Sequence, residues 1–337
     1  MFKDFSRVLL SLVAVCAWAE FLPAQNPPLC EVIPEANHEA VFLLGGNEAT
    51  RWNFGNNYPR PYLYPLRGPT GISLTRMGHP GAPDHDHHQS VWFAHHDVEG
   101  ESFWANGQGT KILQKQWLAY EDGDEQSTMA CLLGWYSKSG EELLEQELVI
   151  ALLPNTAGEY ELEIQSTFRP SAARSSTTLG KTNFGLLAVR VSKSIAAAFG
   201  GGRLTDSEGR QGEEEIFGKS ARWMDYSGKV HVTSSGKQQF VEEGISFMDH
   251  PDNPRHPTHW HVRSDGWMGA SFGMHDSIEI TREKPLSLRY CLWIHRGKCE
   301  AGRVEDRFAE FSERARLRVQ RSSRPHVRYE VQREKVN

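Results

Sequence analysis

Apolar residues along much of this chain fall on alternate positions. In the stretch "EYELEIQSTF" (159–168), Tyr160, Leu162 and Ile164 point one way and Glu159, Glu161 and Glu163 the other. That is the period of a strand with one buried face. Similar short runs predict strands at 40–44, 71–75, 127–137, 145–153, 184–192, 229–233, 239–248, 266–274, 277–281 and 286–295. Gly, Asn, Asp and Pro punctuate the intervals. A helical period stands out over 302–317, where Val304, Phe308 and Phe311 share a face and predict one late capping helix. Many strands in succession, without strand–helix alternation, imply an all-β fold. The expected architecture is a large antiparallel β-sandwich. No linker divides residues 35–300, and 39–317 is expected to be a single domain.

The two ends depart from this pattern. Residues 1–19 have the layout of a secretory signal peptide: a charged start, an apolar run "VLLSLVAVCAWA", and small residues before Glu20. They predict export, to the periplasm or the outside of the cell. The apolar run is too short to cross a bilayer comfortably, and no other stretch is long and apolar enough to do so. Residues 20–38 are proline-rich and read as an irregular lead-in. Residues 318–337, with Arg318, Arg321, Arg324, Arg328 and Arg333, read as a basic polar tail outside the core. Beyond the signal peptide four cysteines remain, Cys30, Cys131, Cys291 and Cys299, an even number open to disulfides or to buried thiols.

Charge narrows the partners. Lys plus Arg number 37 against 43 for Asp plus Glu, a formal net charge of -6. Nucleic acid needs a basic surface and is not an expected partner. The chain has no phosphate-binding P-loop and no GxSxG elbow. A small-molecule or oligosaccharide substrate fits better, because nine of the 15 histidines gather in two places rich in aromatics. One is "PDHDHHQSVWFAHHDVEGESFW" (83–104), with His85, His87, His88, His95 and His96. The other is "FMDHPDNPRHPTHWHVRSDGW" (247–267), with His250, His256, His259 and His261. Two distant loops with the same unusual composition are expected to meet and line one site.

Two chemistries suit such a site. Imidazole is a common ligand for divalent metals, and a metal on the histidine cluster is one reading. No HExxH or defined Cys/His spacing specifies it. Imidazole beside a carboxylate is also a general acid or base near neutral pH. His85, His87, His88 and His95 are the catalytic candidates, with His88 and His95 foremost for proton transfer. Trp92, Trp104, Trp223 and Trp260 are candidates for stacking on sugar rings. Arg190, Arg222 and Arg255 could each clamp a carboxylate or sugar acid in bidentate fashion. His250, Asn253, Arg255, His256 and His261 complete the expected binding residues.

Taken in order, "RPYLYPLRGPTGISLTR" (60–76), the first histidine stretch, "GLLAVRVS" (185–192), "KSARWMDYSG" (219–228) and "ISFMDHPDNPRHPTHWHVR" (245–263) resemble the exported family labelled methane oxygenase PmoA-like. The resemblance covers most of 40–297. Asp86, Gln89 and Ser90 stand where the family motif has Pro, Arg and Gly, while His85, His87, His88, Trp92 and His95 match it. In the second stretch His250, Pro251, Asn253, Arg255, His256, Trp260 and His261 match. The resemblance implies the galactose-mutarotase-like supersandwich. It points to an exported enzyme acting on a carbohydrate or glycoside derivative by hydrolysis, elimination or epimerisation. A metal-dependent oxygenase or hydrolase and a non-catalytic sugar-binding module are the alternatives.

Overall fold

The computed structural model describes residues 26–79, 81–82, 85–234 and 236–335. The expected signal peptide lies outside the described residues. The alternating segments pair, with strands numbered in chain order, into two eight-stranded antiparallel sheets. Across the first sheet run β1 (Cys30–Glu35), β2 (Glu39–Leu44), β3 (Asn47–Asn53), β4 (Tyr62–Leu66), β5 (Val91–His95), β11 (Gly185–Arg190), β16 (Trp267–Ala270) and β15 (Trp260–Arg263). Across the second run β12 (Arg203–Asp206), β13 (Trp223–Ser234), β14 (Lys237–Asp249), β18 (Leu286–Arg296), β9 (Tyr160–Pro170), β8 (Glu142–Pro154), β7 (Ser127–Tyr136) and β6 (Lys111–Glu121). A small ribbon pairs β10 (Ser176–Leu179) with β17 (Ile278–Thr281), and another pairs β19 (Leu317–Arg321) with β20 (Tyr329–Arg333). This is the large antiparallel sandwich that the period-two pattern predicts.

The inner faces of the two sheets share one core. Val91, Phe93, Leu187, Val189, Val262 and Met268 of the first sheet belong to one buried cluster with Ile150, Leu162, Ile164, Phe247 and Leu292 of the second. On β9 the apolar side chains turn into this core. The glutamates turn outward as the pattern predicts, yet Glu161 and Glu163 are not exposed. After two short helices, α1 (Ala197–Gly200) and α2 (Gly212–Ile216), helix α3 (Ala301–Glu313) covers that outer face with Val304, Phe308 and Phe311, packed on Trp223, Met248, Cys291 and Trp293. Arginines neutralise the glutamates it buries: Arg303 pairs with Glu159, Arg314 with Glu161, and Arg289 with Glu163.

Three segments differ from the sequence reading. Within 318–337, most residues are not a loose tail. Leu317 and Val331, on β19 and β20, bury against Ala119, Ala130, Val149 and Ala151, and Arg333 lies 2.9 Å from the buried Glu163. The lead-in is not irregular throughout, since β1 pairs along β2 and buries Cys30 and Val32. Residues 71–75 make isolated bridges at Ser73 and Thr75 rather than a strand. Cys30, Cys131, Cys291 and Cys299 are free thiols, three of them buried.

Candidate functional site on the outer face of the first sheet

Antiparallel register sets the site. Tyr62, Trp92, Ala188, Gly269 and His261 stand opposite one another across five strands. In the next row Arg190 stands opposite Trp267. Neighbours on these strands, such as Val91, Val189 and Met268, enter the core, so these two rows face away from it. Gly269 favours this arrangement: a Cβ would lie 3.0 Å from Trp267 Nε1, tight enough that the indole would have to shift by a few tenths of an ångström. Trp267 packs against Trp92 at 5.0 Å and Trp104 at 5.2 Å between ring centroids, giving a three-indole floor.

The first histidine loop folds over this floor. It is a tight turn and not an extended segment, so His85, His87 and His88 do not alternate. Their rings meet instead, His87 with His88 at 4.4 Å and His85 with His88 at 5.1 Å. His88 rests on Trp267 at 4.8 Å, and His79 joins through His85 at 5.5 Å. His261 reaches the same floor, 5.7 Å from Trp267. Buried Arg60 ties the parts together by donating to the carbonyls of His87 and Trp104 and to Gln89 Oε1. Three of the chain's exposed large apolar side chains border the patch: Phe184 and Phe217 against His261, and Phe199 against His79.

The electrostatics sort these imidazoles. His79 Nε2 lies 2.8 Å from Asp265 Oδ2, whose other oxygen accepts from Arg190 Nη1 at 2.7 Å. Against burial, which raises it, Arg190 and His79 hold the Asp265 carboxyl below the usual carboxylate range. Asp265 therefore stays ionised and fixes the His79 ring. Burial first, then Arg190 and the neighbouring imidazoles, push His88 far below the usual histidine range, so it is neutral. Burial also lowers His261 to about 4, although its bond to the Asn183 carbonyl works the other way. That carbonyl takes the hydrogen of His261 Nδ1 at 3.0 Å, which leaves the Nε2 lone pair as an acceptor.

Several expected site residues lie elsewhere. His95 follows Phe93 into the opposite face of the sheet. There its Nε2 donates to the Gly180 carbonyl at 2.9 Å, and burial lowers it to about 4. Trp260 is in the core between the sheets, with Nε1 donating to the Ala221 carbonyl, and Trp223 is under α3, bonded to Glu305. His250, Asn253, Arg255 and His256 build a turn after β14. Asn253 bridges Asp249 and the Arg289 backbone, His250 accepts from Arg289 Nη1, and His256 Nδ1 meets Asp249 Oδ2 at 2.8 Å. His250 packs on Phe311 and His256 on Phe308, which places this turn by α3. Between Asp249 and Trp260 the chain crosses from the second sheet to the first. The second histidine stretch is therefore divided, and of its candidates His261 alone reaches the patch.

His79, Asp265, Trp267 and the three bordering phenylalanines were not predicted as site residues. The usable signal was period two: Trp267 is two residues from Gly269, opposite His261. Among the described residues no group of three or more His, Cys, Asp or Glu side chains is placed to hold a metal ion.

The chain is similar to an aldose epimerase homologue from C. elegans, with 8% identity and a TM-score of 0.31, covering 80% of this chain and 99% of that one. It is also similar to a 4-alpha-glucanotransferase from Thermococcus litoralis, with 7% identity, a TM-score of 0.29 and 81% of this chain covered. A heparinase III gene product matches at 8% identity and a TM-score of 0.30, over 85% of this chain. The chain spans 40% and 39% of the latter two. Likeness this slight says nothing of the chemistry, and the fold class is carried by the sheets themselves. No curated protein matches. None of these comparisons bears the methane-oxygenase label. Residues 39–309 do match the model described as "Family of unknown function (DUF6807)", and the chain belongs to that family.

Proposed function

We propose that this protein is an exported enzyme acting on a carbohydrate or glycoside derivative at the outer face of the first sheet. The observation that carries the reading is the arrangement there: five imidazoles (His79, His85, His87, His88 and His261) over a three-indole floor, bordered by exposed phenyl rings. Phenyl faces at the border suit the C–H faces of sugar rings. His79, held by ionised Asp265, is the proton-transfer group, since a carboxylate partner stabilises the imidazolium that forms during the step. His88 and His261, both held neutral, are hydrogen-bond partners for hydroxyls. Hydrolysis, elimination and epimerisation all need proton transfer of this kind.

The test is a screen of oligosaccharides and modified sugars against purified protein, with and without chelator. Turnover should be lost in His79→Ala and kept in His326→Ala, a change in a turn far along the chain. Binding without turnover across the panel would leave a sugar-binding module. Turnover that survives His79→Ala would remove that residue from the mechanism.

A further inference from the structure

Three arginines offered themselves from sequence as clamps for an acidic group, and the structure separates them. Arg222 has closed its fork on Glu305, at 2.9 and 3.0 Å. Arg255 spends its donors on the carbonyls of Phe272, Asp276 and Ser277. Arg190 is different. It is 0% exposed, and among the described residues its one hydrogen bond runs from Nη1 to Asp265, leaving Nε and Nη2 without partners there. Those two nitrogens share an edge of the guanidinium, where their hydrogens point in parallel and match the two oxygens of a carboxylate.

The surroundings are rich in donors as well. Among the described residues Trp92 Nε1, Trp267 Nε1 and Gln89 Nε2 are also buried donors without partners, and His88 Nδ1 is a buried ring nitrogen in the same state. Arg76 donates to the Asp265 backbone carbonyl while Arg190 donates to its carboxylate, and Arg60 lies buried under the same loop. Burial lowers Arg60 to about 9 and, with Arg190, lowers Arg76 to about 10. Buried donors and buried positive charge are costly when unanswered.

We propose that the patch recognises an acidic sugar, a uronic acid or an oligosaccharide containing one, whose carboxylate takes the Nε/Nη2 edge of Arg190. The proposal rests on the carbohydrate reading above and names the substrate class for it. Both nitrogens are closed to solvent, so the proposal requires the side chains that cover them to move aside when the carboxylate binds.

The experiment is binding calorimetry with trigalacturonate and a glucuronate-ended disaccharide, each beside its methyl ester, on the unmodified protein and on Arg190→Lys. A paired, charge-assisted bond predicts that the acid binds about tenfold or more tighter than the ester. The preference should collapse in Arg190→Lys, which keeps the charge but not the fork. On the unmodified protein the Arg190 Nε–H resonance should also shift on adding the acid and not the ester, a readout that stands even where the variant fails to fold. Equal binding of acid and ester, or an acid preference that survives in folded Arg190→Lys, would overturn the proposal while leaving a neutral-sugar site intact. An unmoved Nε–H resonance on acid binding would also overturn it. Failure of every sugar, acidic or neutral, to bind would overturn this proposal and the carbohydrate reading together.

Discussion

Replacing Asp265 with Asn removes the negative charge that, among the described residues, is bonded to the Arg190 side chain. Both Asp265 oxygens are in use, one on Arg190 at 2.7 Å and one on His79 at 2.8 Å. Asparagine has one acceptor oxygen and can serve only one of them. Breaking a fully buried ion pair by removing one partner costs about 3–5 kcal/mol. Here Arg190 is 0% exposed but Asp265 is 31% exposed, so water shares part of the loss. About 2–3 kcal/mol of destabilisation is expected at pH 7. The carboxyl sits below its usual range when folded. Its contribution is thus present above the unfolded value of about 3.9 and is lost as pH falls through the depressed folded value. Guanidinium unfolding of wild type and Asp265→Asn should differ most at pH 7 and converge below about pH 4. A difference under about 0.5 kcal/mol at pH 7, or one that does not shrink in acid, would show that the pair does not hold Arg190.

Glu163→Gln should cost about 3 kcal/mol and free the β19–β20 ribbon for proteolysis near residue 325, because Arg289 and Arg333 both lean on that buried carboxylate. Unchanged cleavage kinetics would dissociate the ribbon from Glu163. His95, His250 and His261 are each lowered to about 4 by burial, so the unfolded chain binds protons first. Stability should fall between about pH 6.5 and 4, by up to about 4 kcal/mol per pH unit, and a flat stability curve there would contradict their burial as neutral rings. Gly269→Val should displace the Trp267 indole and weaken sugar binding while the protein still folds, read by near-ultraviolet circular dichroism and calorimetry.

A strand with strict alternation, such as β9, was legible because an apolar core on one face writes itself into the sequence. Strands β6 and β19 were not, since each lies at an edge and its polar residues reach solvent or ion pairs. Outward glutamates on β9 looked like a solvated surface. Nothing local in that strand shows that arginines from α3, β18 and β20 would cover them. At the site, the first histidine stretch was legible as a cluster, and its division by face was not. Trp92 and His95 lie three residues apart on one strand and therefore on opposite faces. His79 and Asp265 are 186 residues apart in sequence, and no periodicity connects them. Composition marked the region, and only long-range register selected the residues.

Strand β5 hydrogen-bonds to β11, and all of β6 to β10 lies between them in sequence. The meander β6–β9 closes on itself through neighbouring hairpins, so it can form early at little loss of chain entropy. The sheet that carries the aromatic patch waits for β11 and then for β16. Until they dock, β5 presents an unpaired edge bearing Trp92 and Phe93, a surface prone to joining the same edge of another molecule. Substitutions on β11 or β16 should therefore show themselves first as aggregation during refolding, and refolding yield at dilute and concentrated protein will register them before any change in the finished molecule.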